Sequence, residues 1–143
     1  MAKIERYEDL KCWQQSRLLV NQVYELVSES SLRKEFALID QLKRASISVM
    51  TNIAEGFNRY HKKDFIRFLD YSQSSAQEVK SLLYIVVDQG MIEATRIKEI
   101  QSNCDHCQAM ILSLINHING TLRNSNQTNE PEILYVSDEY LGQ

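Results

Sequence analysis

The chain has 143 residues, 43% of them hydrophobic and 24% charged, with a formal net charge of −3. One proline and four glycines are too few for an all-β fold, which needs a turn roughly every 8–12 residues. No apolar run approaches the roughly 18 residues of a membrane span. No basic-then-apolar leader stands at the start, and three cysteines argue against a disulfide framework, so the expectation is a cytosolic protein with no membrane partner.

Helix 1 is predicted over about Glu8 to Ser28, with Leu10, Trp13, Val20, Val23, Tyr24 and Val27 inward, and Ser28–Lys34 reads as a loop. Helix 2 follows from about Glu35 to Gly56 or somewhat beyond, on a seam of Ile39, Leu42, Ser46, Val49 and Ile53. Helix 3 runs from about Lys62 to Gln89. Phe65, Phe68, Leu69, Ser72, Ser75, Ala76, Val79, Leu82, Leu83 and Val86 share one of its faces, and its small middle lets a neighbour approach closely. Gly90 then stands where a left-handed residue is wanted after a helix.

In helix 4, Ile97, Ile100, Cys104, Cys107, Ile111, Leu114 and Ile118 alternate spacings of three and four, the period of a helix nearly parallel to its bundle neighbours. Thr95 is a plausible N-cap. The predicted fold is all-α, an antiparallel up-down-up-down four-helix bundle over residues 1–123. A polar, then acidic tail covers residues 124–143. It reads either as disordered or as a docking strand or linear motif built on Ile133, Tyr135 and Tyr140.

Charge is unevenly spread. From Thr128 onward there are four acids (Glu130, Glu132, Asp138, Glu139) and no base, whereas residues 41–67 hold six bases against two acids, a net of +4. Those bases are Lys43, Arg44, Arg59, Lys62, Lys63 and Arg67. Lys62 and Lys63 fall at the start of helix 3, where the macrodipole disfavours cations by up to about 1 kcal/mol unless an anion is also present. Tyr60 beside them could stack on a base. On helix 2, Arg44, Ser48, Thr51 and Glu55 lie within an arc of about 60°, with Asn52 at its border. That stripe reads as a solvated face with a Glu55–Arg59 pair, or as a contact between subunits or to a phosphate-bearing ligand. Asn52 and Glu55 are assigned to satisfying backbone groups where helix 2 ends, and Gly56 to a tight turn there.

Catalytic chemistry finds no footing. A di-iron bundle needs Glu-x-x-His pairs, but Asn58, Asn103 and Leu114 precede His61, His106 and His117 by three. Cys104 and Cys107 occupy consecutive seam positions with His106 turned away, which suits core packing better than a metal or redox site. No phosphate loop, nucleophile elbow or HExxH motif occurs. The expectation is a non-enzyme with no cofactor.

The string QLKRASISVMTNIAEGFNRYHKKDFIRFL, residues 41–69, resembles the four-helix-bundle family of intervening-sequence proteins, named after reading frames inserted in bacterial large-subunit ribosomal RNA genes. The accessory variability proteins of diversity-generating retroelements belong to the same broad family. The resemblance rests on Lys43, Arg44, Ala45, Ser48, the segment Asn52-Ile53-Ala54-Glu55-Gly56, then Phe65, Arg67, Phe68 and Leu69. Upstream, residues 7–14 (YEDLKCWQ) look like the family's helix 1 opening, and Ser74, Ser75, Ala76 and Glu78 match its small-residue stretch. Two positions depart from the pattern: Met50 or Thr51 stands where proline is common, and His61 replaces a serine cap.

The resemblance implies a homopentamer of bundles that binds nucleic acid without known catalysis. In the retroelement branch it also implies contact with a reverse transcriptase. The combined reading is an oligomer that binds nucleic acid, structured RNA or RNA/DNA, through phosphates and with weak sequence specificity, with Lys43, Arg44, Arg59, Lys62, Lys63 and Arg67 in contact. Ser48, Asn52, Glu55 and Gly56 serve the structure or the subunit contact. The rival reading is a scaffold whose bundle or acidic tail docks a partner protein, for example a retroelement reverse transcriptase.

Overall fold

The computed structural model describes residues 2–124 and 134–142. Helices α1 (Lys11–Val27), α2 (Phe36–Phe57), α3 (Lys62–Asp88) and α4 (Ala94–Asn124) pack in chain order, and α4 closes on α1. The short connections force each helix to run antiparallel to the last, giving the up-down-up-down bundle. No helix among the described residues is long and apolar enough to cross a membrane.

The core follows the apolar seams. Leu42, Val49 and Ile53 of α2 meet Leu69, Val79, Leu83 and Val86 of α3 and Ile97, Ile111 and Ile118 of α4, all with no exposed surface. Each such side chain contributes about 1.5–3 kcal/mol on burial. On α1 the inward face differs from the expected one. Cys12, Ser16, Leu19, Val23, Leu26 and Val27 are buried, while Trp13 and Val20 are half-buried and Tyr24 is exposed. Ser16 is tolerated inside because its hydroxyl donates to the Cys12 carbonyl at 2.6 Å. The helix also starts later than expected, after a 3₁₀ turn at Tyr7–Asp9.

α2 and α3 approach closely at two levels. In the middle, Ser72 donates to the Val49 carbonyl at 2.5 Å, and Ser75 to the Ser48 hydroxyl at 2.9 Å. Lower down, a Cβ on Gly56 would lie 2.6 Å from Phe68 Cβ. Gly56 is therefore not a turn residue. The helix runs through it to Phe57, and the position needs glycine because α3 passes against it. Gly90, by contrast, has φ +66° and closes α3 as expected. Its N–H reaches the Val87 carbonyl at 2.9 Å and the Met91 N–H reaches Val86 at 3.1 Å, the paired bonds of a Schellman turn. Thr95 does not cap α4, because the helix already starts at Ala94, with the Ile97 N–H on the Glu93 carbonyl.

The two chain ends meet beside the α2–α3 turn. Strand β1 (Ala2–Lys3) pairs antiparallel with β2 (Tyr135–Val136), and Leu10 bridges to Leu141. Ile4, Leu134 and Val136 are buried beneath this clasp. Tyr140 lies tilted over His117 with ring centroids 5.1 Å apart, and the Ser113 hydroxyl donates to its oxygen at 3.2 Å. The His117 Nε2 is 2.6 Å from the Tyr135 carbonyl, which can only accept, so that nitrogen carries the proton. Of the residues singled out in the tail, Glu130, Glu132 and Ile133 lie outside the described residues.

Candidate nucleic-acid interface

The α2–α3 turn builds the cationic end of the bundle. α2 ends at Phe57, Asn58 keeps helical angles, and His61 enters α3 in an extended conformation without a side-chain cap bond. The Asp64 and Phe65 N–H groups both turn back to the His61 carbonyl. With no capping serine to answer, Asp64 instead pairs with Arg67 at 3.4 Å, an exposed contact worth little.

Phe68 organises the arginines. The guanidinium of Arg59 lies 4.7 Å from its ring centroid and that of Arg67 lies 5.6 Å away. Tyr71 meets the same ring edge-on at 5.7 Å, and Tyr60 packs against His61 at 4.8 Å. Tyr60 and Tyr71 stay 62% and 49% exposed, so each has surface left for a flat partner. Stacking narrows the rotamers of the two arginines without neutralising them. The Glu55–Arg59 pair does not form among the described residues. Glu55 is exposed, and Arg59 takes the ring instead. Nor does Asn52 serve the helix end. It donates to the Ser48 carbonyl and hydroxyl at 2.8 Å, in the same group that reaches Ser75.

The six expected cations fall into two groups. Arg59, Lys62, Lys63 and Arg67 flank the turn, with Lys63 exposed and Lys62 half-buried. Lys43 and Arg44 sit fourteen and thirteen residues before Phe57, the end of α2, about 20 Å along the axis from it at about 1.5 Å per residue. Lys43 lies over the Tyr24 ring of α1 at 4.9 Å, whereas Arg44 pairs with Asp40 at 2.8 Å. The clasp adds a cation that sequence reasoning missed. Lys3, Arg59 and Lys62 ring a cleft of about 190 Å³ whose apolar walls are Ile4, Phe57, Phe65 and Leu134.

The three thiols stand apart from this end's chemistry. Burial pushes Cys12 and Cys104 up to about 12 and Cys107 to about 11, so they stay protonated at neutral pH. Among the described residues no cluster of three His, Cys, Asp or Glu could hold a metal.

Residues 8–113 match the model of the 23S rRNA-intervening sequence protein family. The chain belongs to this family. A solved structure shows the shared fold: a protein of unknown function from the S23 ribosomal protein family of Bacteroides thetaiotaomicron. It is 22% identical, with a TM-score of 0.67, over 73% of this chain and 97% of that one. No curated protein matches. The family match takes in α1–α3, the turn between α2 and α3 and most of α4, but neither Lys3 nor the docked segment 134–142.

Proposed function

We propose that this chain is a non-enzymatic, self-assembling bundle that binds structured RNA through its phosphates, at the end formed by the α2–α3 turn. The observation that carries this reading is the pair of guanidinium groups held over Phe68, with Lys62 and Lys63 at the uncapped start of α3 beside them. Prearranged cations lose less freedom on meeting a phosphate than mobile ones do. The family description, which names 23S rRNA, supports a nucleic-acid association.

Assembly of several copies, as a pentamer, multiplies the field of each cationic end. Contacts to phosphate position the nucleic acid and carry little sequence information, so binding is broad in sequence and steep in salt. The test is an RNA gel-shift series from low to high salt. Affinity should fall steeply, and Lys63→Glu combined with Arg67→Glu should weaken binding and flatten the slope. A shallow slope, or no loss in the double variant, overturns the reading.

A further inference from the structure

The cleft beside the turn has a composition that neither a bare anion nor an apolar ligand explains. Three cations surround about 190 Å³ of space whose other walls include the half-buried ring of Phe57 and the buried ring of Phe65. A phosphate alone makes no use of those rings, and a hydrocarbon makes no use of the charges. One nucleotide uses both. A cavity of about 150 Å³ holds a benzene ring, so a cleft of about 190 Å³ can take one flat ring. RNA-binding surfaces commonly take bases that have left the stack, against aromatic side chains and with phosphates on cations.

The cleft depends on the chain termini. β1 has no strand partner other than β2 among the described residues. Lys3 stands opposite Tyr135, and the Ile4 N–H reaches the Leu134 carbonyl at 3.2 Å. A two-residue strand has no stability of its own. Its position comes from Leu134 and Val136, which are buried while Tyr135 between them points out. That alternation sets the register, and the register places Lys3.

We infer that the cleft receives one unpaired nucleotide of the bound RNA, its phosphate on Lys3 and Arg59 and its base against the half-buried Phe57 ring, and that the C-terminal segment holds this site together. This rests on the reading of the bundle as an RNA binder and adds to it Lys3 and the C-terminal segment, which lie outside the region matched by the family.

Two RNAs test it: a hairpin with a single-stranded overhang, and a blunt duplex of equal length. Two variants are compared with the intact protein, Lys3→Ala and the doubly substituted Leu134→Ser/Val136→Ser, which releases the segment without changing charge. Each should weaken overhang binding about fivefold or more, the loss expected for one phosphate contact, and flatten its salt slope by about 0.7. All three substitutions together should cost no more than the releasing pair, because Lys3 is then already unplaced. Duplex affinity should stay within about twofold. Lys3 is exposed, so Lys3→Ala keeps the fold and decides the matter even if the serine pair melts early. Unchanged overhang binding in Lys3→Ala, or equal loss with both RNAs, overturns the inference. If the intact protein binds neither RNA, the broader reading falls instead.

Discussion

At the end of the bundle where α1 passes to α2, residues 28–35 carry Glu29, Arg33, Lys34 and Glu35, two acids and two bases. At the opposite end the α2–α3 turn and the first residues of α3 carry Arg59, Lys62 and Lys63, with no acid before Asp64. The arginines behave accordingly. Arg96 reaches across the first end to Glu29 at 2.5 Å, joining the α3–α4 side to the α1–α2 loop. Arg59 at the other end lies on Phe68 and forms no ion pair among the described residues. Backbone devices close one end, with the Gly90 turn doing most of it, while tight packing closes the other and leaves cations displayed. The same residue types therefore mean different things at the two ends, and the difference lies in what stands opposite them.

The largest expected effect is at the cationic end, where stability and binding fall together. Gly56→Ala gains up to about 1 kcal/mol in helix propensity, but its Cβ would press on Phe68 Cβ and on Phe65 Cδ2 at 2.8 Å. Overpacking of this kind costs about 1–3 kcal/mol, so the net should be a lower midpoint in urea. It should also weaken RNA binding, because Phe68 carries both arginines.

At the other end Gly90→Ala meets no atom within 4 Å, and its cost is the left-handed backbone alone, about 1–2 kcal/mol. Thermal unfolding should register that loss with RNA affinity unchanged. The smallest effect belongs to Arg96→Ala. Its partner is partly exposed, so the loss should be below about 1 kcal/mol, again with binding intact. If Arg96→Ala impaired RNA binding as strongly as changes at the turn, the contrast between the ends would dissolve.

The helical plan is legible in the sequence wherever the buried side chains are the apolar ones. Every expected seam residue of α4 is buried, and α3 and α2 follow with Ile39 and Ser75 half-buried. α1 misleads because its large aromatic residues lie on the flanks, each under a cation: Arg17 over Trp13 and Lys43 over Tyr24. Its buried face instead uses Ser16 and Cys12, which hydropathy ranks low or ambiguous. Gly56 shows a second limit. A glycine near a helix end reads as a stop, and only the helix packed against it reveals a close approach. The cationic turn is visible as a run of bases, but the pairing of Lys43 and Arg44 with Tyr24 and Asp40 is not. Lys3 carries no local signal at all, since its placement depends on a strand more than 130 residues away in the chain.

The central claim is best tested by moving the same charge change between the two ends. Arg59→Glu/Lys63→Glu and Arg33→Glu/Lys34→Glu alter the net charge equally. Their RNA dissociation constants, measured side by side at one salt concentration near physiological, separate a local site from bulk charge. The account predicts a loss of about a hundredfold for the first pair and near-intact binding for the second. Equal losses in the two variants would contradict it.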